Sequence, residues 1–428
     1  MNKCSYAPHG GRGNTGERVE TVRRGGATDQ TATTEPAGRP RRRLVGIDAA
    51  RGLALIGLMA IHILPSWNTE TGEATWSWRL FSGDSAALFA LLAGVGLALG
   101  SGGRHPREGR ALTGERVSVL VRALLITTVG LCINAAMPEN PPAYDILFYY
   151  GVFFLLAIPF LHAKAPALFV WAAGFGILAP LLMQGLLDVL PEWWYYNPTL
   201  SNVLSNPAGT VSQLLLTGSY PALPYMTYLL VGMGLGRLDL RAVNTQIRLV
   251  FVGASLWIAA QTISYVLLYG FEGYFKLQAA SHLSEEKLDE ILVWGAGSLP
   301  TTTGWWLAIT TPHSNTPLAI ATSLGVGLTV LGLFLLISRK IGGWLLPLSA
   351  MGSMTLTLYT AHLLVLALGL HEDARYLWYF VHLLVAAGFA VVWQLTLGQG
   401  PLERIVAFSA KGTRRLVVGR NAQAKPLE

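Results

Sequence analysis

Apolar and polar stretches alternate along most of the chain. The apolar ones cover Gly46–Leu64, Gly83–Ser101, Val117–Ala136, Tyr144–Leu161, Pro166–Leu187, Tyr220–Leu238, Ile247–Tyr269, Pro317–Ile337, Trp344–Leu370 and Tyr376–Leu397. Each is near the roughly 20 residues that an α-helix needs to cross about 30 Å of hydrocarbon. The pattern predicts an all-α, polytopic transmembrane bundle of ten spans, or eleven if Ser201–Leu216 re-enters the membrane instead of lying at its interface. The first run follows Arg41, Arg42 and Arg43 without a small-residue cleavage site, so it reads as a signal anchor. Residues 1–43, rich in Gly, Thr and Arg, lack the apolar periodicity that offsets ordering entropy and read as a disordered cytoplasmic tail. Residues 44–400 form the membrane domain, and 401–428 a basic cytoplasmic tail.

Composition agrees: 52% of the 428 residues are hydrophobic and 13% charged, where soluble domains carry about a quarter charged residues. A net charge of +7 raises the question of a nucleic-acid partner, which the placement of the charge answers. Of 31 Lys and Arg residues, 25 fall with the two termini and alternate loops, 4 with the opposite loops, and Arg51 and Arg122 within spans. Positive charge collects on the cytoplasmic side, so both termini are placed there, in a multi-pass protein of the plasma membrane with lipid and no nucleic acid around it. The cluster Arg104, Arg107, Arg110 and Arg116 also suits an anionic cofactor. Cys4 and Cys132 cannot be expected to pair, and no metal-ligand spacing occurs, so no metal site is expected.

Three external loops are long: Pro65–Ser82, Asp188–Ser219 and Gly270–Thr316. In the last, Ser284 before Glu285 and Glu286 predicts a short amphipathic helix, with Leu288, Ile291 and Leu292 on its apolar face. The aromatic clusters Trp193–Tyr196 and Trp305–Trp306 read either as interfacial anchors or as stacking surfaces for sugar rings.

Ionisable side chains inside spans are costly unless paired or facing a wet cavity, which makes them candidates for function. The first span carries Asp48, Arg51 and His62. Eleven residues at about 100° each bring His62 back to the face of Arg51, roughly 16 Å along the axis. Neutral imidazole suits His62 to accept a proton from an attacking hydroxyl or amine; the alternative is a buried histidine satisfied by a carbonyl. Arg51, and Arg122 as the second basic residue within a span, suit a cofactor phosphate or carbonyl, while Asp48, three residues before Arg51, can equally claim it as an ion pair. In the ninth span Met351, Thr355, Tyr359 and His362 fall within about 80° of one another around one helix, either lining a tunnel for a pantetheine arm or bonding within the bundle. His313, between Pro312 and Pro317, reads as an acceptor-side residue or a loop anchor. Asp84 reads as a partner for an imidazole or acceptor hydroxyl, or as a helix cap.

An Arg, ten residues and then a His on the first span resembles the signature of the bacterial membrane acyltransferases that modify cell-surface glycans and lipids. The stretches GIDAARG at 46–52, Asp84 before an apolar run with LLAG, and DILFYYGVFF at 145–154 resemble the heparan-alpha-glucosaminide N-acetyltransferase family and its bacterial relatives. So do TPHSNTP at 311–317, GSMTLTLYTAH at 352–362 and GQGPLERI at 398–405. The resemblance implies acyl-CoA, most simply acetyl-CoA, bound from the cytoplasm, and an acyl group delivered to a glycan or glycolipid on the outer face of a bacterial cell. In the heparan enzyme the acyl-accepting His lies in the first external loop; here that loop has none, and His62 stands where that enzyme has Asn.

The expectation is therefore an acyltransferase with His62, Asp84 and His313 as catalytic candidates and Arg51, Arg122, Thr355, Tyr359 and His362 as cofactor-binding ones, with a homodimer as one state open to it. Two alternatives stand beside it: a transporter or flippase of a lipid-linked or small polar substrate, whose flexible points would include VGMGLGRL, and a scaffold that has lost its chemistry.

Overall fold

A computed structural model describes residues 44–191, 195–295 and 297–419. The regular structure among them is helical, with a lone β-bridge between Trp67 and Ala74. Seven helices are long and apolar enough to cross a membrane: Val45–Ile63, Trp76–Gly100, Gly109–Ala136, Ala165–Leu186, Val243–Gly270, Pro317–Ile341 and Arg375–Thr396. A bent pair, Leu346–Ser353 and Thr355–Leu366, makes an eighth if counted as one span, and Leu147–His162 and Ala222–Gly236 are apolar but shorter. Each of the ten apolar runs in the sequence thus has a helix, although the tail before residue 44, with Cys4, lies outside the described residues.

The helices sort by burial. Ala222–Gly236 is buried almost throughout, and Val45–Ile63, Asp84–Gly100 and Leu147–Ala157 bury most of their residues. Around them Ala165–Leu186, Val243–Tyr265 and Arg375–Thr396 turn large apolar side chains outward, among them Val170, Phe251, Leu384 and Val392. So extensive an exposed apolar surface belongs against lipid, because water would oppose it at every residue.

Glycine brings the inner helices close. A Cβ on Gly352 would sit 1.7 Å from the carbonyl oxygen of Asp48, and one on Gly52 would sit 2.1 Å from that of Leu348. The first helix and Leu346–Ser353 therefore touch backbone to backbone, as small residues allow in membrane bundles.

The ninth apolar run departs from the straight helix expected. It breaks at Met354 (φ −135°, ψ 43°) and bends by 82°. Met351 is thereby taken off the face that Thr355, Tyr359 and His362 were expected to share with it. The break exposes the amide groups that begin the second half, and Glu403 supplies acceptors: its carboxylate receives the Thr357 amide (3.1 Å) and hydroxyl (2.6 Å). Glu403 comes from a helix, Pro401–Val418, in the segment read as a basic tail.

Ser201–Leu216 forms two short helices, Leu200–Ser205 and Pro207–Ser212, followed by a π-helical turn. The loop from Gly270 folds on a small core of its own, in which Leu277, Leu288 and Trp306 are fully buried. The helix at Ser284 forms as Glu285–Trp294, with the Ser284 side chain accepting the Lys287 amide. Trp306 is buried, 0% exposed, with Nε1 donating to Thr302, and it borders the cavity that His62 and His313 also line. Trp305 lies under the Lys276 ammonium, 4.7 Å from the ring centre. Trp193 and Trp194 lie outside the described residues.

Candidate active site

Two chambers lie along the first helix. The inner one, about 370 Å³, is walled by Arg51, Arg122, Tyr150, Thr355, Tyr359 and Glu403. The outer one, about 420 Å³, is walled by His62, Trp78, Tyr144, Tyr220, Trp294 and His313. Leu58 lines both. Seven residues after Arg51 and four before His62, it lies on the stripe that joins them, so helical periodicity alone carries the first helix from one chamber to the other.

At the inner end, Arg51 donates to Asp48 Oδ1 (3.3 Å) and to the Leu92 carbonyl (3.1 Å) while still lining the chamber. The pairing with Asp48 and the exposure to the chamber coexist. Arg122 faces the same space, and its buried Nε has no hydrogen-bond partner. Such a donor in a cavity beside a second guanidinium suits an anionic or strongly polar ligand. Of the basic cluster after the second apolar run, Arg104 pairs with Asp239 (3.5 Å) and Arg107 with the buried Glu115, which Arg414 also approaches (3.6 Å).

At the outer end, His62 Nδ1 lies 3.1 Å from His362 Nε2. His362 does not line the inner chamber with Thr355 and Tyr359; its ring, 6.4 Å from that of Tyr359, meets the first helix at His62. Tyr359 stands between the two chambers: it lines the inner one, its ring is 6.3 Å from that of His62, and its hydroxyl donates to the Tyr144 carbonyl (3.3 Å). His313 opens onto the outer chamber and onto a third cavity of about 400 Å³ beside it. Held at φ 61°, with its carbonyl taking the Asn315 side-chain amide, it is fixed by its loop. The protein around its ring lowers its affinity for a proton below the ordinary histidine range, so it is neutral at neutral pH. Asp84 faces that third cavity with Tyr228 and Ser323; it shares His313 as a neighbour and does not line the chamber of His62.

Three side chains escaped the sequence reading. His382 sits on an apolar helix edge-on to His362, ring centres 5.0 Å apart, and the rule that selected His62 applies to it equally. Asp145 is buried, with Oδ1 accepting the Leu147 amide and Oδ2 unpartnered. Glu403 lies within the GQGPLERI stretch, but its role was not legible there, since it depends on the break at Met354.

A family model described as heparan-alpha-glucosaminide N-acetyltransferase, catalytic, matches residues 43–264 of the chain. The match holds Arg51, His62, Asp84 and Arg122, and ends before His313, Thr355, Tyr359 and His362. No curated protein matches the chain.

Proposed function

The chain belongs to the heparan-alpha-glucosaminide N-acetyltransferase catalytic family, and from its membership as a membrane acyltransferase we propose that it moves an acetyl group from acetyl-CoA in the inner chamber to an acceptor in the outer one. The observation that carries this reading is that Arg51 and His62 mark the two chambers and Leu58, between them on one helix, borders both. The inner residues fit the donor: Arg122 offers an unpartnered buried Nε, Arg51 a second guanidinium, and the chamber has room for a pantetheine arm. Bound there, acetyl-CoA supplies an activated thioester carbonyl.

Arg51 and Arg122 would hold the donor's polar groups, and Thr355 and Tyr359 line its path. His62, bonded through Nδ1, has Nε2 left to accept the proton of an attacking hydroxyl or amine. His313 positions the acceptor from the far wall, and Asp84 lines the cavity on the other side of His313. The aromatic rim, with Trp78 and Trp294 5.1 Å apart and Tyr144 stacked on Tyr196 at 5.4 Å, suits the apolar face of a sugar ring. In this reading the inner chamber opens to the cytoplasm of a bacterial cell, with the termini, and the outer one to the cell surface. Purified protein incubated with acetyl-CoA should release the free thiol; an intact thioester, with a polar solute crossing liposomes instead, would favour transport.

A further inference from the structure

Beside the chambers runs a row of imidazoles that the transfer step leaves unexplained. The rings of His62 and His362 are stacked, with centres 5.3 Å apart and planes within 7°. His362 meets His382 at 90°. His371 is buried in the turn between Thr355–Leu366 and Arg375–Thr396. His362 Nδ1 and His371 Nδ1 are buried with no hydrogen-bond partner among the described residues. Among the described residues no three His, Cys, Asp or Glu side chains converge as metal ligands would. A row of rings, each able to take a proton on one nitrogen and release one from the other, suits proton movement.

Resting on the acyltransferase reading, we propose that His62, His362 and His382 form a proton relay from the outer chamber to the turn at His371. As the acceptor's heteroatom bonds to the acyl carbon and the carbon–sulfur bond breaks, the acceptor's proton passes to His62 Nε2. The Nδ1 proton of His62 moves to His362 Nε2, and the Nδ1 proton of His362, which no protein atom accepts, passes through an intervening water to His382 and then to water at the turn. The thiolate takes a proton from water on its own side, so charge and atoms balance. The other titratable groups around the row are Tyr359 and His313 beside His62, and Glu372 and Arg375 beside His371. Their positions leave His382, half-buried at the bundle edge, as the exit.

The test uses full-length protein in liposomes, with thiol release from acetyl-CoA measured in weak buffer with glucosamine as the acceptor probe. His382→Ala should slow release at least about tenfold, and added imidazole should restore it, because a diffusible base can replace a shuttle at a half-exposed position. His362→Gln, which still accepts a hydrogen bond but passes no proton, should be slow and unrestored. In ligand-free protein, nitrogen-15 spectra should show His62 and His382 titrating in coupled steps, and His362→Gln should uncouple them. Active wild type with an unchanged His382→Ala rate, a loss that imidazole cannot restore, or independent titration in the wild type would each overturn the relay alone. Wild-type protein that releases no thiol would overturn the acyltransferase reading and the relay with it.

Discussion

Truncating His62 to Ala removes the proposed proton acceptor of the outer chamber, without burdening insertion, since Ala enters a membrane helix more readily than imidazole. Acetyl transfer should fall by about 10²–10⁴-fold while the amount of protein in the membrane stays close to wild type. Transfer within a few-fold of wild type would take His62 out of the mechanism. Arg51 is tested by shape as well as charge. Arg51→Lys keeps the charge and loses the fork that spans Asp48 and Leu92, whereas Arg51→Gln loses both. Calorimetric titration with CoA should rank affinity as wild type, then Lys, then Gln; three equal affinities would leave Arg51 to its bond with Asp48.

The position of His62 against His362 depends on how closely the first helix packs on Leu346–Ser353, the half of the broken helix that leads into Thr355–Leu366. Gly352→Leu would place a side chain where the Asp48 carbonyl now lies, so the helices must separate; overpacking of this kind costs about 1–3 kcal/mol or more. The expected result is a lower unfolding temperature in detergent and a larger loss of transfer than stability alone explains, because the histidines part. Unchanged stability would mean that the contact is looser than described. Glu403 caps the second half of the broken helix and lines the inner chamber. Glu403→Ala should cost roughly 0.5–2 kcal/mol, the usual range for losing a helix cap, read as a lower midpoint of thermal unfolding.

Across the whole molecule, the split of basic residues predicts the orientation, and the proposed direction of transfer depends on it. With Cys4 and Cys132 replaced, Ser284→Cys in the helix-bearing loop should react with a membrane-impermeant maleimide in intact cells, and Ser338→Cys near the end of Pro317–Ile341 should not. The reverse pattern would put the Arg51 chamber outside, away from any supply of acyl-CoA, and the proposed direction of transfer would fail. The C-terminal helix belongs to the same scale. It packs against Gly109–Ala136 and leaves Ile405, Phe408 and Leu416 exposed along one side, as a helix lying at a membrane surface would.

Runs of apolar residues determine helices because hydrocarbon demands that each backbone polar group be bonded within its own segment, and all ten runs could be read from the sequence for that reason. The shared stripe of Arg51 and His62 was legible too, being a property of one helix and its fixed turn. The break at Met354, the meeting of His362 with His62, and the roles of His382 and Glu403 were not. Each rests on contacts between segments tens to hundreds of residues apart, and no local periodicity records them. Tertiary packing, set by the backbone approach at Gly52 and Gly352, decided which polar side chains meet, because a buried imidazole or carboxylate is stable only where a distant partner reaches it.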